Sequence, residues 1–393
     1  MTEVVVSGIG LISPMDQGKG KDSFWDGLCA GRNVIHPITF FSTDQYPARV
    51  GGEIELYSSN GKRDRSFSLA CFALDKAIRD AGLDLESIDP ARIGLAVGTI
   101  LGQIRTGQRY LGSSSRKLLR RRMSFYPHHA LTGYLARRYG FCGPNLTIST
   151  ACASGSDAIG LAALEILAGR ADIMLAGGVD VMNEFSFAGF NCLYALTDDL
   201  VRPFDRDRKG LALSEGAAFL ILEREDIARA RRKKIYGRVL GYDNHNDAVN
   251  MAAPDPEGNG LARAIEGALR MASISLFDIG YINAHGTGTS YNDSMETNAI
   301  KKALGRFAYS VPISSIKSML GHTLGAAGAL EAIACLMSIN HRCIPPTINY
   351  QNQDAACDLD YTPNRKKHKR NLEIAVSLSS GFGGQNAALV FSK

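Results

Sequence analysis

No run of about twenty uninterrupted apolar residues occurs in the chain, so the simplest signal for a membrane-spanning helix is missing. The opening MTEVVVSGIG has no basic stretch leading into an apolar run and a small-residue cleavage site; it reads as a first strand and not as a secretion signal. None of the eight cysteines (29, 71, 142, 152, 192, 335, 343, 357) forms a CxxC pair. That disfavours a zinc site or a disulfide scaffold and fits reduced thiols in the cytoplasm. A GxGxxG after the first strand, GxxxxGK[ST], HExxH and GxSxG are also lacking, so nothing announces a metal or a nucleotide. The basic groups at Arg116, Lys117 and Arg120–Arg122, at Arg231–Lys234 and at Arg365–Arg370 carry no interleaved aromatic residues for base stacking. Nucleic acid is therefore a weaker partner than an acidic protein, and solvated helix ends and loops account for the same residues.

What remains is a chain of 393 residues, 45% hydrophobic and 21% charged, with 41 glycines gathered in short turns. That is the pattern of an α/β enzyme with tight strand-to-helix connections. Apolar, β-branched runs at 3–7, 93–97, 145–149, 173–176 and 217–222, then at 235–240, 279–284, 374–378 and 387–391, predict strands covered on both faces. Three- and four-residue apolar spacing predicts helices at 66–81, 155–167, 261–271 and 326–337. Strand–helix alternation thus occurs twice, giving an expected N-terminal half over 1–234 and a C-terminal half over 235–393, with central sheets packed back to back through helices. The polar stretch 223–234 connects them, and the strand openings VVVSGIG and GYINAHGTG are weakly alike.

Four turns carry the chemistry. In Leu146-Thr-Ile-Ser-Thr-Ala-Cys-Ala-Ser-Gly-Ser156, a strand gives way to a helix, placing Cys152 near a helix N-terminus that stabilises a thiolate. Its small neighbours leave room for an acyl chain. In Asn283-Ala-His-Gly-Thr-Gly-Thr289, His285 stands at a strand's carboxyl end, where α/β active sites are built, and Thr287 and Thr289 can bond an amide-bearing ligand arm. Asp293 and Glu296 follow at a helix start, where capping explains them as well as catalysis does. In Ser314-Ser-Ile-Lys-Ser-Met-Leu-Gly-His322, Lys317 is a cation five residues from His322 that can keep an imidazole neutral. In Ser377-Leu-Ser-Ser-Gly-Phe-Gly-Gly-Gln-Asn386, Gly381, Phe382 and Gly383 fit either a glycine hairpin or a flexible gate that lends an amide to an oxyanion hole. A cysteine can hold an acyl group, and two neutral histidines can stabilise the enolate left when a malonyl thioester loses carbon dioxide.

With VVVSGIGLISP, STACASG, RPFDRDRKGLALSEGAA, NAHGTGT, SIKSMLGHTLGAAGALEA, PPTINY and GFGGQN in order along its length, the chain resembles the elongating β-ketoacyl-[acyl-carrier-protein] synthases of the thiolase superfamily. The resemblance implies a five-layered αβαβα fold, a dimer, Cys152 as nucleophile, and His285 and His322 in decarboxylation and condensation with Lys317 in support. It implies that the amides of Cys152 and Phe382 form the oxyanion hole, and that Asp293 and Glu296 are acidic positions near the site. Glu331 is implied in structure or ion binding, Thr287 and Thr289 in phosphopantetheine contact, and Phe190 and Leu101 in substrate binding. No resident cofactor is implied, since phosphopantetheine arrives on an acyl carrier protein. The chain departs from the family at Ser380 and Gln385, in the bulkier Thr99-Ile-Leu-Gly102, and at Arg120–Arg122 and His128–His129, where apolar pocket residues are usual. Those departures point to a specialised acyl chain in fatty acid or polyketide and polyene biosynthesis. They also point to a partner that is either a second copy or a cysteine-less, ketosynthase-like chain-length subunit. A thiolase would need a second catalytic cysteine and a priming synthase Cys-His-Asn, and the second histidine disfavours both. A Cys–His acyl hydrolase would leave Lys317 and one histidine unexplained.

Overall fold

The computed structural model describes residues 3–55, 64–111, 124 and 126–393. Ten strands form the principal sheet: β1 (Val4–Ile12), β2 (Ile93–Gly98), β3 (Asn145–Ile148), β4 (Ile173–Asp180), β5 (Gly216–Arg224), β6 (Gly237–Asn246), β7 (Ile279–Asn283), β8 (Ile313–Ser314), β9 (Ile374–Gly381) and β10 (Gln385–Ser392). Their order across the sheet is β8-β7-β9-β10-β6-β1-β5-β4-β2-β3. Numbered within its own half, each set of five follows 1-5-4-2-3. In both sets the second, third and fourth strands run parallel, and the fifth runs antiparallel to both its neighbours, the fourth and the first. The halves join where β1 pairs with β6, at Val5–Arg238 and Val6–Gly237. The topological counterpart of VVVSGIG in β1 is therefore β6, and the weak likeness to GYINAHGTG in β7 is out of register with the duplication.

Among the described residues the layers are built on α1 (Arg65–Ala81), α2 (Ser154–Leu167), α3 (Asn259–Ala272), α4 (Ser290–Leu304) and α5 (Ala327–His341), with the helix His128–Tyr139 packed on β2 and β3. Helix α1 covers β1, β5 and β4 from outside, while α3 covers β6 and β10 with α4 beside it. Between the half-sheets lie α2 and α5, each touching strands of both halves. The result is the αβαβα order. Local chemistry sets the ends of α1: the Asp64 side chain accepts the Ser66 N–H, and Gly82 closes the helix in the left-handed region at φ 56°. The segment Leu324–His341 is long and apolar enough to cross a membrane, but it is 89% buried as the innermost helix. The expectation of strands covered on both faces fails at β3, whose first three residues are partly or fully exposed because it is the sheet's edge.

The helix crossing explains the run of small residues after Cys152. A Cβ on Gly155 would sit 2.7 Å from the Gly325 carbonyl oxygen, and one on Gly328 would sit 2.2 Å from Ser156 Oγ. Side chains larger than these would force α2 and α5 apart. The smallness serves backbone contact between the two halves more than space for an acyl chain.

Candidate active site

Cys152 lies in a single tight turn, Ala151–Ala153, that leads straight into α2. Ala151 holds the turn at φ 49°, and Ser154 Oγ accepts the Thr150 N–H at 2.9 Å. Asp157 braces it from below, accepting from Thr150 Oγ1 and, at 2.9 Å, from the Tyr242 hydroxyl. Cys152 is only 5% exposed. Burial pushes its thiol up to about 12, against the opposing pull of the Lys317 charge. At neutral pH the resting residue is thus a thiol, and the helix N-terminus acts on the charge only as it develops during attack.

Lys317 is 2% exposed and fully satisfied. Its Nζ donates to the His285 carbonyl oxygen at 2.7 Å, to His285 Nδ1 at 3.2 Å and to Glu331 Oε1 in a tight ion pair. The three ammonium donors meet three acceptors. From sequence spacing Lys317 belonged beside His322; in the fold its ammonium touches His285, which comes from a different strand. His322 is oriented by another donor, the Leu324 N–H, which reaches its Nδ1 at 3.1 Å. With both Nδ1 atoms accepting, each neutral ring carries its proton on Nε2. Burial, then the Lys317 charge, holds His322 well below the usual histidine range; His285 is lowered by burial, Lys317 and His322 in that order. Nε2 of His322 is buried and makes no hydrogen bond within the protein. The two rings stand nearly perpendicular, with centroids 5.2 Å apart, and one nitrogen from each lies within 4.8 Å of the other and of the Cys152 sulfur. By distance alone these three residues could surround an ion. The Leu324 N–H nevertheless occupies the His322 lone pair at Nδ1 and keeps a proton on Nε2, which makes that nitrogen a donor instead of a metal ligand.

Glu296 and Asp293 are buried in α4 and do not cap it. Glu296 accepts the N–H groups of His285 at 2.6 Å and Gly286 at 2.8 Å. Asp293 accepts those of Thr287 at 3.1 Å and Phe204 at 2.7 Å. They anchor the loop that presents His285, Thr287 and Thr289, and neither lines the cavity. Burial raises both carboxyls, Glu296 to about 8. Glu331, also buried and raised, neutralises Lys317 from α5.

The β9–β10 hairpin closes the other side. A Cβ on Gly381 would come within 2.8 Å of the Cys152 backbone nitrogen, so only glycine lets the hairpin lie against the nucleophile's turn. Phe382, 37% exposed, packs on Phe190 with centroids 5.5 Å apart. The tip is tied down: the Gly383 N–H donates to the Met251 carbonyl oxygen at 2.8 Å, and Asn246 Nδ2 donates to the Gly383 carbonyl oxygen at 2.8 Å. Ser380 Oγ donates to Asn386 Oδ1. A cavity of about 370 Å³ reaches Cys152, His285 and His322 past Thr287, Thr289 and Phe190.

Leu101 is not at that cavity: its N–H donates to Asp180 Oδ1, and its side chain packs between two core clusters. His128 Nε2 donates to the Ile100 carbonyl oxygen at 2.7 Å, and His129 is exposed; neither lines the cavity. Arg116, Lys117 and Arg120–Arg122 lie outside the described residues. One residue went unnoticed in the sequence. Asp180, at the end of β4, accepts from Thr99 Oγ1, the N–H groups of Ile100 and Leu101, and across the molecule the Gly325 N–H at 2.7 Å. An acid closing the apolar strand Ala176-Gly-Gly-Val-Asp180 was the available signal.

Family models match most of the chain: "Beta-ketoacyl synthase, N-terminal domain" over residues 1–228 and "Beta-ketoacyl synthase, C-terminal domain" over 236–351. The putative polyketide beta-ketoacyl synthase 1 of Streptomyces halstedii is 40% identical over 99% of this chain and 97% of its own length. The 3-oxoacyl-[acyl-carrier-protein] synthase 2 of Synechocystis is also 40% identical, over 99% of this chain and 98% of its own. Among solved structures, a type II polyketide ketosynthase bound to its acyl-carrier protein and a hexaketide has a TM-score of 0.93 at 33% identity, covering 100% of this chain and 99% of that one. The ishigamide ketosynthase/chain length factor also has a TM-score of 0.93, at 35% identity, with the same coverage. The chain belongs to the β-ketoacyl synthase family.

Proposed function

We propose that the chain is a β-ketoacyl-[acyl-carrier-protein] synthase that loads an acyl group on Cys152 and extends it by two carbons from a malonyl-carrier thioester. The observation that carries this reading is the convergence of one thiol and two histidines whose Nδ1 atoms are already occupied. In the first step Cys152 sulfur attacks the acyl thioester, the carrier's C–S bond breaks, and the thiol proton ends on the departing phosphopantetheine sulfur. The Cys152 and Phe382 amides hold the oxygen charge meanwhile. In the second, the malonyl C–C bond breaks, carbon dioxide leaves, and the electron pair becomes an enolate whose oxygen takes Nε2–H bonds from His285 and His322. The enolate carbon then attacks the acyl-cysteine, and the displaced Cys152 sulfur regains a proton from solvent. Lys317 acts through His285, fixing its tautomer.

No resident cofactor enters this scheme; phosphopantetheine is delivered on the carrier protein, with Thr287 and Thr289 as its contacts at the cavity wall. A reducing compartment such as the cytoplasm suits a reaction that needs a free thiol. The second reading keeps the same chemistry but makes the chain the catalytic member of a heterodimer with a related chain-length subunit. The ketosynthase/chain length factor pair among its structural relatives favours it. Mass spectrometry after incubation with a panel of acyl-carrier thioesters and malonyl-carrier protein tests the function. An adduct on Cys152 and a 3-oxoacyl-carrier product are expected; an adduct on another residue, or hydrolysis without condensation, overturns it.

A further inference from the structure

Away from the cavity, two more cysteines face one another. Cys29 ends the helix Lys21–Cys29 of the first half, and Cys343 opens the strand Cys343–Ile344 of the second, 314 residues later. Their sulfurs are 3.9 Å apart, Cys29 half-buried and Cys343 buried. We propose that Cys29 and Cys343 form an oxidisable dithiol, distinct from the condensing site, that peroxide converts to a disulfide joining the two halves. A disulfide needs sulfurs about 2 Å apart, so the pair must close by roughly 2 Å. The shared thiol contact lowers Cys343 to about 7, helped by Lys366, and raises Cys29. The contact thus eases ionisation of one thiol of the pair relative to an isolated buried thiol.

The chemistry balances with one peroxide. The Cys343 thiolate attacks a peroxide oxygen, the O–O bond breaks, and a sulfenic acid and one water result. Cys29 sulfur then attacks the sulfenic sulfur, displacing the second water. Two thiols lose two electrons and two protons; the peroxide takes them up.

Each cysteine also heads an arm that grips the turn carrying Lys317. Beyond Cys29, the Val34 N–H donates to the Met319 carbonyl oxygen at 3.0 Å. Beyond Cys343, Thr347 Oγ1 accepts the Ser315 N–H at 3.0 Å, and the Ile348 N–H donates to Ser318 Oγ at 3.0 Å. A bond between the cysteines would staple both arms behind that turn.

The test treats the folded full-length protein with hydrogen peroxide, alkylates, digests without reductant and maps linked peptides by mass spectrometry. A Cys29–Cys343 peptide pair lighter by two hydrogens is expected, reversed by reductant and lost in Cys29→Ser. Sulfoxide formation at the exposed Met251 in the same digest reports that peroxide acted. Separate alkylation of Cys29 and Cys343 while Met251 is oxidised overturns the proposal, as does a link found only in a denatured control. Should Cys29→Ser fail to fold, the native and denatured wild-type digests decide alone.

Discussion

The two halves share a backbone plan and divide the chemistry between them. In each, a tight turn leads into the inner helix, at Ala151–Ala153 before α2 and at Leu324–Ala326 before α5. Each turn opens on a non-glycine residue with positive φ, 49° at Ala151 and 55° at Leu324. In each, the loop two residues beyond the second strand is held by a buried carboxylate. Asp180 takes the Ile100 and Leu101 N–H groups; Glu296 takes those of His285 and Gly286. Where the first half has apolar Ile100, the second has His285. Where the first half's turn carries Cys152, the second half's turn supplies the N–H that orients His322. The turns correspond, but the carboxylates do not, since Asp180 closes a strand and Glu296 lies in a helix; in the proposed chemistry the first half holds the acyl group and the second supplies a pair of hydrogen-bond donors.

The sharpest way to break that comparison is to remove the second half's donors. Replacing either His285 or His322 with Ala should lower condensation by about 10²–10³-fold, the usual effect of losing one oxyanion-type donor, while Cys152 still loads acyl groups. Stopped-flow loading and product formation measured separately check this. Next comes the charge that sets the His285 tautomer. Lys317→Ala leaves Glu331 buried without its cation and should destabilise the protein by about 3–5 kcal/mol in denaturant melts. Lys317→Ala with Glu331→Ala should recover part of that stability and none of the condensation.

A smaller effect is expected where the halves touch. Gly381→Ala pushes a Cβ into the Cys152 nitrogen, and overpacking of this kind destabilises by about 1–3 kcal/mol. Activity should fall more than stability, because the displaced groups include the amides proposed to form the oxyanion hole.

The smallest effect is in pH dependence. Burial raises Glu296 from 4.5 to about 8, so the folded protein binds this proton more tightly than the unfolded chain does. The stability it contributes is complete below about 4.5 and is lost as pH rises through about 8. Thermal melts should therefore show wild type losing stability relative to Glu296→Gln across that window. A constant difference would show that Glu296 does not titrate there.

The gathering of Cys152, His285, His322 and Lys317 in one place was legible because chemically active side chains stood in glycine-rich turns after apolar strands. Partnerships across the chain were not. Lys317 was five residues from His322 in sequence, yet parallel pairing of β7 with β8 and β9 brought it to His285 instead. The small residues after Cys152 looked like room for substrate, because Gly325 and Gly328, which press against them, come from the other half. Leu101 was placed at the cavity by resemblance, but its N–H turns to Asp180, a carboxylate whose partners span both halves. The strand repeat was matched one strand out of register for a related reason: topology, and not residue likeness, identifies β6 as the counterpart of β1.

The division of labour is tested most directly by carbon dioxide release and acyl adduct formation in Cys152→Ala, compared with the His285→Ala, His322→Ala double variant. Cys152→Ala should still decarboxylate malonyl-carrier protein while forming no adduct; the histidine variant should carry the acyl group and release no carbon dioxide. Decarboxylation that vanishes with Cys152 but survives loss of both histidines would contradict the assignment of nucleophile and hydrogen-bond donors to different halves.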